Sequence, residues 1–153
     1  MPSRHQARKR ALQMLFQWDM RQHPAEQAQS VDESIACYYG SLSNDDCSPL
    51  GEPDEFADSL VRGAVAKIAE IDSTIARYAE HWRLERMPAV DRNILRLAAY
   101  EMKDCGTPPA VVIDEALELA NRFSSPESHQ FINGVLDAIR KQCKPEETSE
   151  AAG

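Results

Sequence analysis

The sequence predicts an all-α protein, a compact bundle of about six or seven helices. Two observations lead to this fold class. Apolar residues recur three and four positions apart through most of the chain, which is the spacing of one face of an amphipathic helix. No segment alternates apolar and polar residues between turn signals, as a half-buried strand does. At 153 residues the chain has the length of one ordinary domain.

In the first half of the chain, the sequence predicts helices separated by polar segments. A first helix is expected from Ser3 to Arg21, and a second, short helix from about Ser30 to Tyr39. The segment from Gly40 to Pro53 is rich in Ser, Asp, Gly and Pro and is expected to form an acidic loop. The helical spacing resumes between Asp54 and Trp82 with a break near Glu70 to Asp72, so two consecutive helices are expected there.

Proline, glycine and serine mark the ends of the later helices. Pro88 suits the first turn of a helix, because the N–H that proline lacks would be unpaired there. That helix is expected to stop at Cys105–Gly106, just before two prolines. Further helices are expected from about Ala110 to Phe123 and, after a serine cap, from Ser124 to Cys143. Gly134 interrupts the last helix, so we expect another helix or a ligand to approach closely there.

Composition and missing motifs argue against several classes of protein. The apolar runs are much shorter than the roughly 20 residues that span a bilayer, and no export signal follows the basic N-terminus, so a cytoplasmic protein without membrane contact is expected. The four cysteines form no CxxC pair, and the six glycines are scattered singly. We therefore expect no metal, no cofactor and no enzymatic activity. Residues 1–143 are expected to form one helical domain, and residues 144–153 a flexible acidic tail.

The net charge of −8 is unevenly distributed along the chain. Residues 1–10 contain Arg4, Arg8, Lys9 and Arg10 without any acidic residue, and His5 lies among them. Residues 11–153 carry 13 basic and 25 acidic side chains, a net charge of −12. Positive charge in the first turns of a helix opposes the helix dipole. This basic start is therefore either a solvated first turn or a binding surface for phosphates.

Four blocks of the sequence, in order, resemble the NusB family. They are RKRALQMLFQWD at 8–19, VDRNILRLAAYE at 90–101, VIDEALELA at 112–120 and SHQFINGVLD at 128–137. The resemblance covers the first helix and nearly all of residues 54–140, and it implies a pair of packed three-helix bundles. It also implies an RNA-binding factor of bacterial transcription that is not an enzyme.

The same resemblance implies partners. Together with the small-subunit ribosomal protein NusE, members of the family bind the single-stranded boxA element of nascent ribosomal RNA leaders. The complex helps RNA polymerase to resist termination, so other Nus factors and the polymerase are indirect partners. The resemblance leaves open whether the chain is a monomer or a homodimer.

The family's binding residues carry over to positions in this chain. RNA contacts are implied at the starts of the first and last helices: Arg4, His5, Arg8, Arg10, Glu127 and Phe131. Phe131 would stack on an unpaired base, although by helical spacing alone a core position is equally favoured. Asp91 matches an acidic position that faces the ribosomal-protein partner, and Phe16 matches an aromatic position near it.

Two alternatives remain. The RNA-binding domain of a ribosomal RNA cytosine methyltransferase resembles NusB over this region but continues into a catalytic domain. Neither a glycine-rich cofactor loop nor a catalytic cysteine motif follows the helices in this sequence. A helical scaffold that binds only proteins would leave the basic start solvated, and RNA binding distinguishes it from a NusB-like factor.

Overall fold

The computed structural model describes residues 4–22, 30–44, 54–79 and 83–143. These ranges contain seven α-helices and one short 3₁₀ turn, with no strand among them, so the predicted all-α fold is confirmed. In chain order the elements are α1 (Arg4–Met20), α2 (Val31–Asn44), α3 (Glu55–Ala66), α4 (Ile68–Tyr78), the 3₁₀ turn (Leu84–Arg86), α5 (Ala89–Asp104), α6 (Pro109–Phe123) and α7 (Pro126–Cys143). None of the described helices combines the length and the apolar character that a membrane span requires.

The chain divides into two compact units, one ending at Ala66 and the other beginning at Lys67. In the N-terminal unit α1 packs against α2 and α3, and α2 packs against α3. Its core is made of small and branched side chains from all three helices: Ala7, Ala11, Leu12, Met14, Leu15, Ile35, Ala57, Leu60, Val61 and Ala64. The small residues Ala7 and Ala11 on α1 and Ala57 and Ala64 on α3 allow these helix axes to come close.

The C-terminal unit is built around α5, which packs against α4, α6 and α7. Ten of the 16 residues of α5 are buried, so it is covered on more than one face, as a central helix must be. The neighbouring helices close the core with aliphatic side chains: Ile71, Ile75, Val112, Leu119, Ile132, Leu136 and Ile139. The predicted tail at 144–153 lies outside the described residues, and the single domain predicted for residues 1–143 stays a prediction.

The second helix is longer than predicted. α2 continues to Asn44, so the loop predicted from Gly40 to Pro53 is wrong over residues 40–44, and residues 45–53 lie outside the described ranges. A glycine inside a helix costs only about 1 kcal/mol relative to alanine. The packing of α2 against α1 and α3 outweighs that cost, so Gly40 does not end the helix.

The break between α3 and α4 falls at Lys67, earlier than the predicted position at Glu70 to Asp72. The N–H of Ile71 donates to the Lys67 carbonyl at 2.9 Å, which begins the new helix. Ala64, Ile68 and Ile71 keep helical spacing across the break. The apolar pattern therefore contains no sign of where one helix stops and the next starts.

Other helix ends agree with the sequence. α5 ends before Gly106, whose φ of 71° is the left-handed conformation that glycine adopts without strain. The Ser125 hydroxyl accepts a hydrogen bond from the Ser128 N–H at 3.2 Å and so caps α7. The predicted close approach of a helix at Gly134 is wrong within the described part of the chain, because a Cβ atom there would meet nothing within 4 Å.

A partly buried ion pair joins α4 to α5. Arg96 is 7% exposed, and its Nε and Nη2 each donate to the Asp72 carboxylate at 2.8 Å. Its Nη1 donates to Asn93 Oδ1 at 3.0 Å. This two-pronged geometry suits the planar guanidinium and satisfies a charge that would otherwise be costly inside the unit.

We expect Asp72→Ala to lower the free energy of unfolding by about 3 kcal/mol, because it leaves the buried Arg96 guanidinium without its counter-charge. Urea unfolding monitored by helical circular dichroism measures the change. Asp137→Ala is the matched control, since Asp137 pairs with Arg140 and Lys141 on the surface. This variant should lose much less stability. Equal effects in the two variants would contradict a special role for the buried pair.

Tyr39 joins α2 to the start of α3. Its hydroxyl donates to Asp58 Oδ1 at 2.8 Å and accepts from the Asp54 N–H at 2.8 Å. Burial raises the pKa of Tyr39 to about 12, and burial also raises the pKa of the Asp58 carboxyl. The phenol must keep its proton to donate to Asp58, so this link requires neutral Tyr39.

Stability should fall as the pH rises from about 10 to about 12. The unfolded chain loses the Tyr39 proton near the ordinary pKa of 10.0, whereas the folded protein keeps it to about 12. The stability that Tyr39 contributes is thus complete below the unfolded pKa and lost as the pH rises through the folded one. In Tyr39→Phe the free energy of unfolding should fall by roughly 1 kcal/mol less over this pH range than in wild type, after allowance for solvent screening.

Urea unfolding at a series of pH values tests this expectation. Below about pH 9 the phenol is neutral in both states, and the difference between wild type and Tyr39→Phe should stay constant. Above that range the two stability curves should converge. Parallel curves up to about pH 12 would show that Tyr39 does not carry the alkaline loss.

Candidate nucleic-acid interface

The basic start of α1 lies against the start of α3. The guanidinium carbon of Arg4 is 3.9 Å from the centre of the Phe56 ring, and that of Arg8 is 5.6 Å from it. Both distances fall within the roughly 6 Å over which a cation is attracted to an aromatic face. Arg4 is exposed, whereas Arg8 is buried. Arg4 is therefore the more accessible of the two for a phosphate.

Arg10 is directed into the N-terminal unit. It is 7% exposed, and its Nη1 lies 3.5 Å from Oδ2 of the equally buried Asp54. Asp54 Oδ1 accepts from the Ala57 N–H at 3.1 Å, so the same carboxylate caps α3. The charge of Arg10 is thus offset by Asp54 inside the unit.

Two other predicted residues lie on α1. His5 is exposed near its start, and Phe16 is half-buried toward its end. Gln13 lies between them and accepts a hydrogen bond from the Tyr38 hydroxyl at 2.7 Å, which ties the middle of α1 to α2.

Asp91 stands in the first turn of α5 and is only 2% exposed. Its carboxylate accepts hydrogen bonds from the hydroxyls of Ser124 and Ser128, each at 2.5 Å. Ser124 follows α6 and Ser128 belongs to the first turn of α7, where negative charge is favoured by the helix dipole. Asp91 therefore fixes the connection between α6 and α7.

Beside this connection lies an open cavity of about 340 Å³. Side chains from the 3₁₀ turn, α5 and the start of α7 line it: Arg86, Met87, Pro88, Asp91, Ser125, Glu127, Ser128 and Phe131. Glu127 is exposed and Phe131 is half-buried. The structure thus brings Asp91, Glu127 and Phe131, which the sequence analysis named for two different roles, to one cavity of the C-terminal unit.

The wall of the cavity formed by Arg86 and Met87 is held in place by Arg92. Arg92 Nη1 donates to the Leu84 carbonyl at 2.9 Å and to the Met87 carbonyl at 3.4 Å. These bonds tie the first residue of the 3₁₀ turn, and the residue that follows the turn, to α5. The cavity therefore has a fixed shape on the side of α5.

Sequence reasoning missed Asp54, Phe56 and Arg86. Asp54 had a local signal, since an aspartate directly before an apolar helix is a typical cap. Phe56 and Arg86 had none, because their neighbours in the site come from other segments of the chain. The residues predicted to contact RNA fall in both units, and their combination into one surface stays a prediction.

Comparison with known proteins identifies the family. The NusB family model matches residues 5–141. The transcription antitermination protein NusB of Solibacter usitatus is 57% identical over 142 residues, which cover 93% of this chain and 91% of that protein. The NusB protein of Koribacter versatilis is 46% identical over 145 residues, 94% of this chain and 92% of that protein.

Solved structures agree with this result. NusB of T. maritima has a TM-score of 0.75 and 34% identity, covering 97% of this chain and 98% of that one. A chain from a complex of the antitermination factors NusB and NusE with double-stranded RNA has a TM-score of 0.73 and 30% identity, covering 91% of this chain and 96% of that one. Because the matches extend over nearly the whole of these relatives, they favour antitermination over the methyltransferase alternative. The chain belongs to the NusB family of transcription antitermination proteins.

Proposed function

We propose that this chain is an RNA-binding antitermination factor that acts together with NusE. The complex binds the single-stranded boxA element of nascent ribosomal RNA leaders in the cytoplasm and helps RNA polymerase to resist termination. The observation that carries the proposal is the cluster of cations at the start of α1 in a chain whose net charge is −8. A related NusB has been solved with NusE and RNA, which supports the choice of partners.

The cations at the start of α1 supply the phosphate contacts. Arg4 is exposed and Lys9 is half-buried, so the backbone of an RNA strand meets positive charge there. The exposed His5 adds a ring N–H that can donate to a phosphate. The acidic residues elsewhere in the chain repel RNA and so limit non-specific binding. This combination favours a small, defined RNA footprint.

The cavity beside α7 supplies contacts to bases. Phe131 forms part of its wall, and an aromatic ring at the edge of a cavity is a stacking platform for an unpaired base. The exposed Glu127 carboxylate accepts hydrogen bonds from base amino groups. Arg86 adds a cation for the adjoining phosphate.

NusE is proposed to bind near Phe16 and Asp91. The half-buried Phe16 offers part of an aromatic ring to a partner. Asp91 is almost completely buried and already bonded to two serines. We therefore assign it an indirect role, in which it fixes the turn between α6 and α7 that the partner meets.

Purified chain should bind a single-stranded boxA oligonucleotide, and the affinity should rise when NusE is added, because the partner adds contacts to the same RNA. Fluorescence anisotropy with a labelled oligonucleotide measures both affinities, and an oligonucleotide of scrambled sequence is the control. Absence of binding with and without NusE would overturn the proposal and favour a scaffold that binds only proteins.

Arg4→Ala should weaken RNA binding and make it less sensitive to salt. Loss of one phosphate contact lowers the slope of log K against log salt by about 0.7 for a single strand. Arg21→Ala, at an exposed residue just after the end of α1, removes the same charge and should leave the slope unchanged. An unchanged slope in Arg4→Ala would place this arginine outside the RNA contact.

A further inference from the structure

We propose that Phe56 is a positioning residue for RNA binding, whose ring holds the guanidinium of Arg4 ready for a phosphate. This inference rests on the proposed RNA-binding function and adds a residue that does not itself need to touch RNA. It starts from the two cation–aromatic contacts, at 3.9 Å for Arg4 and 5.6 Å for Arg8, made to a single ring.

Arg4 and Arg8 lie where positive charge is disfavoured. They are four residues apart on α1, so they lie on the same face of the helix and repel each other. They also lie in the first turns of α1, where the helix dipole disfavours positive charge, and α1 has no acidic residue in its first turn. The negative face of the Phe56 ring attracts the Arg4 guanidinium and offsets part of this cost.

Buried contacts fix the backbone position of Phe56 independently of Arg4 and Arg8. Phe56 is the second residue of α3, which Asp54 caps while also pairing with Arg10 of α1. The flanking Ala57 and Leu60 are 0% and 1% exposed, whereas Phe56 itself is half-buried and outside the core. The backbone of Phe56 is therefore held in place, while its ring is not required to fill the interior.

The contact with the ring favours RNA binding because it orders the arginine side chain before RNA arrives. An arginine side chain loses rotamer freedom when it grips a phosphate, and that loss weakens binding. A ring that already restricts Arg4 reduces the loss. Phe56 should consequently raise RNA affinity through Arg4, and its effect should disappear when Arg4 is removed.

The first test compares Phe56→Leu and Phe56→Tyr with wild type, using a single-stranded boxA oligonucleotide and NusE. Phe56→Leu keeps an apolar side chain but removes the aromatic face, so the affinity should fall about threefold to tenfold. Phe56→Tyr keeps the ring and should stay within about twofold of wild type. Phe123→Leu makes the same change at an exposed phenylalanine of α6 and should have no effect.

A double-mutant cycle separates positioning from a general effect on the fold. Arg4→Ala should cost less affinity in the Phe56→Leu background than in wild type. An equal cost in both backgrounds would overturn the positioning role, even if Phe56→Leu alone binds RNA weakly. Thermal unfolding of each variant identifies any loss of folded protein, and Phe56→Met serves as a second ring-free variant if Phe56→Leu is unstable.

A readout without RNA tests the geometry itself. The ring current of Phe56 should shift the Arg4 Hδ proton resonances upfield in the NMR spectrum of the full chain, and Phe56→Leu should abolish that shift. No upfield shift in wild type would overturn the inference while leaving the proposed function intact. If wild type shows the shift but binds no RNA with NusE, the proposed function fails, and the role of Phe56 in RNA binding fails with it.

Discussion

The buried carboxylate of Asp54 is the point on which the N-terminal unit depends. One oxygen caps α3 through the Ala57 N–H, and the other faces Arg10 of α1. The backbone N–H of the same residue donates to Tyr39 of α2. A carboxylate that is 6% exposed is tolerated only when its charge and lone pairs are satisfied, so all three helices must be in place together. This requirement also sets where Phe56, two residues later, presents its ring to α1.

The C-terminal unit uses buried charge in the same way. Arg96 ties α5 to α4 through Asp72, and Asp91 ties the start of α5 to the α6–α7 connection through two serines. Replacing such groups by apolar side chains is often neutral for stability, whereas removing one partner is costly. Their value here is geometric, because they specify how four helices that are otherwise held by aliphatic packing must be aligned. The cavity beside α7 takes its shape from this alignment.

The sequence predicted the helices well because their signals are local. Apolar spacing located the α-helices, and Gly106 and Ser125 marked ends that the structure confirms. The predicted end of α2 was wrong, because a single glycine has too little effect to outweigh packing against α1 and α3. The break at Lys67 was misplaced because the apolar period continues through it. Both errors lie at positions where tertiary contacts determine the helix ends and the local conformational preference of the sequence is weak.

The candidate interface was predictable only in part, for the same physical reason. The basic start of α1 is visible as a charge pattern, and Glu127 and Phe131 followed from the family resemblance. The burial of Arg10 was not visible, since its partner lies 44 residues away in the sequence.

The burial of Arg10 reduces the positive charge that the start of α1 presents to a ligand. With Arg10 offset by Asp54 and Arg8 largely covered, the start of α1 presents fewer cations than the sequence suggests. Few phosphate contacts give a weak affinity with a shallow salt dependence, and these contacts carry no sequence information. Selective RNA binding by this chain must then draw on base contacts such as those proposed for the α7 cavity, and on the added surface of a protein partner. Under the proposed function, so few exposed cations at the start of α1 make RNA binding depend on the NusE partner more strongly than the charge pattern of the N-terminus implies.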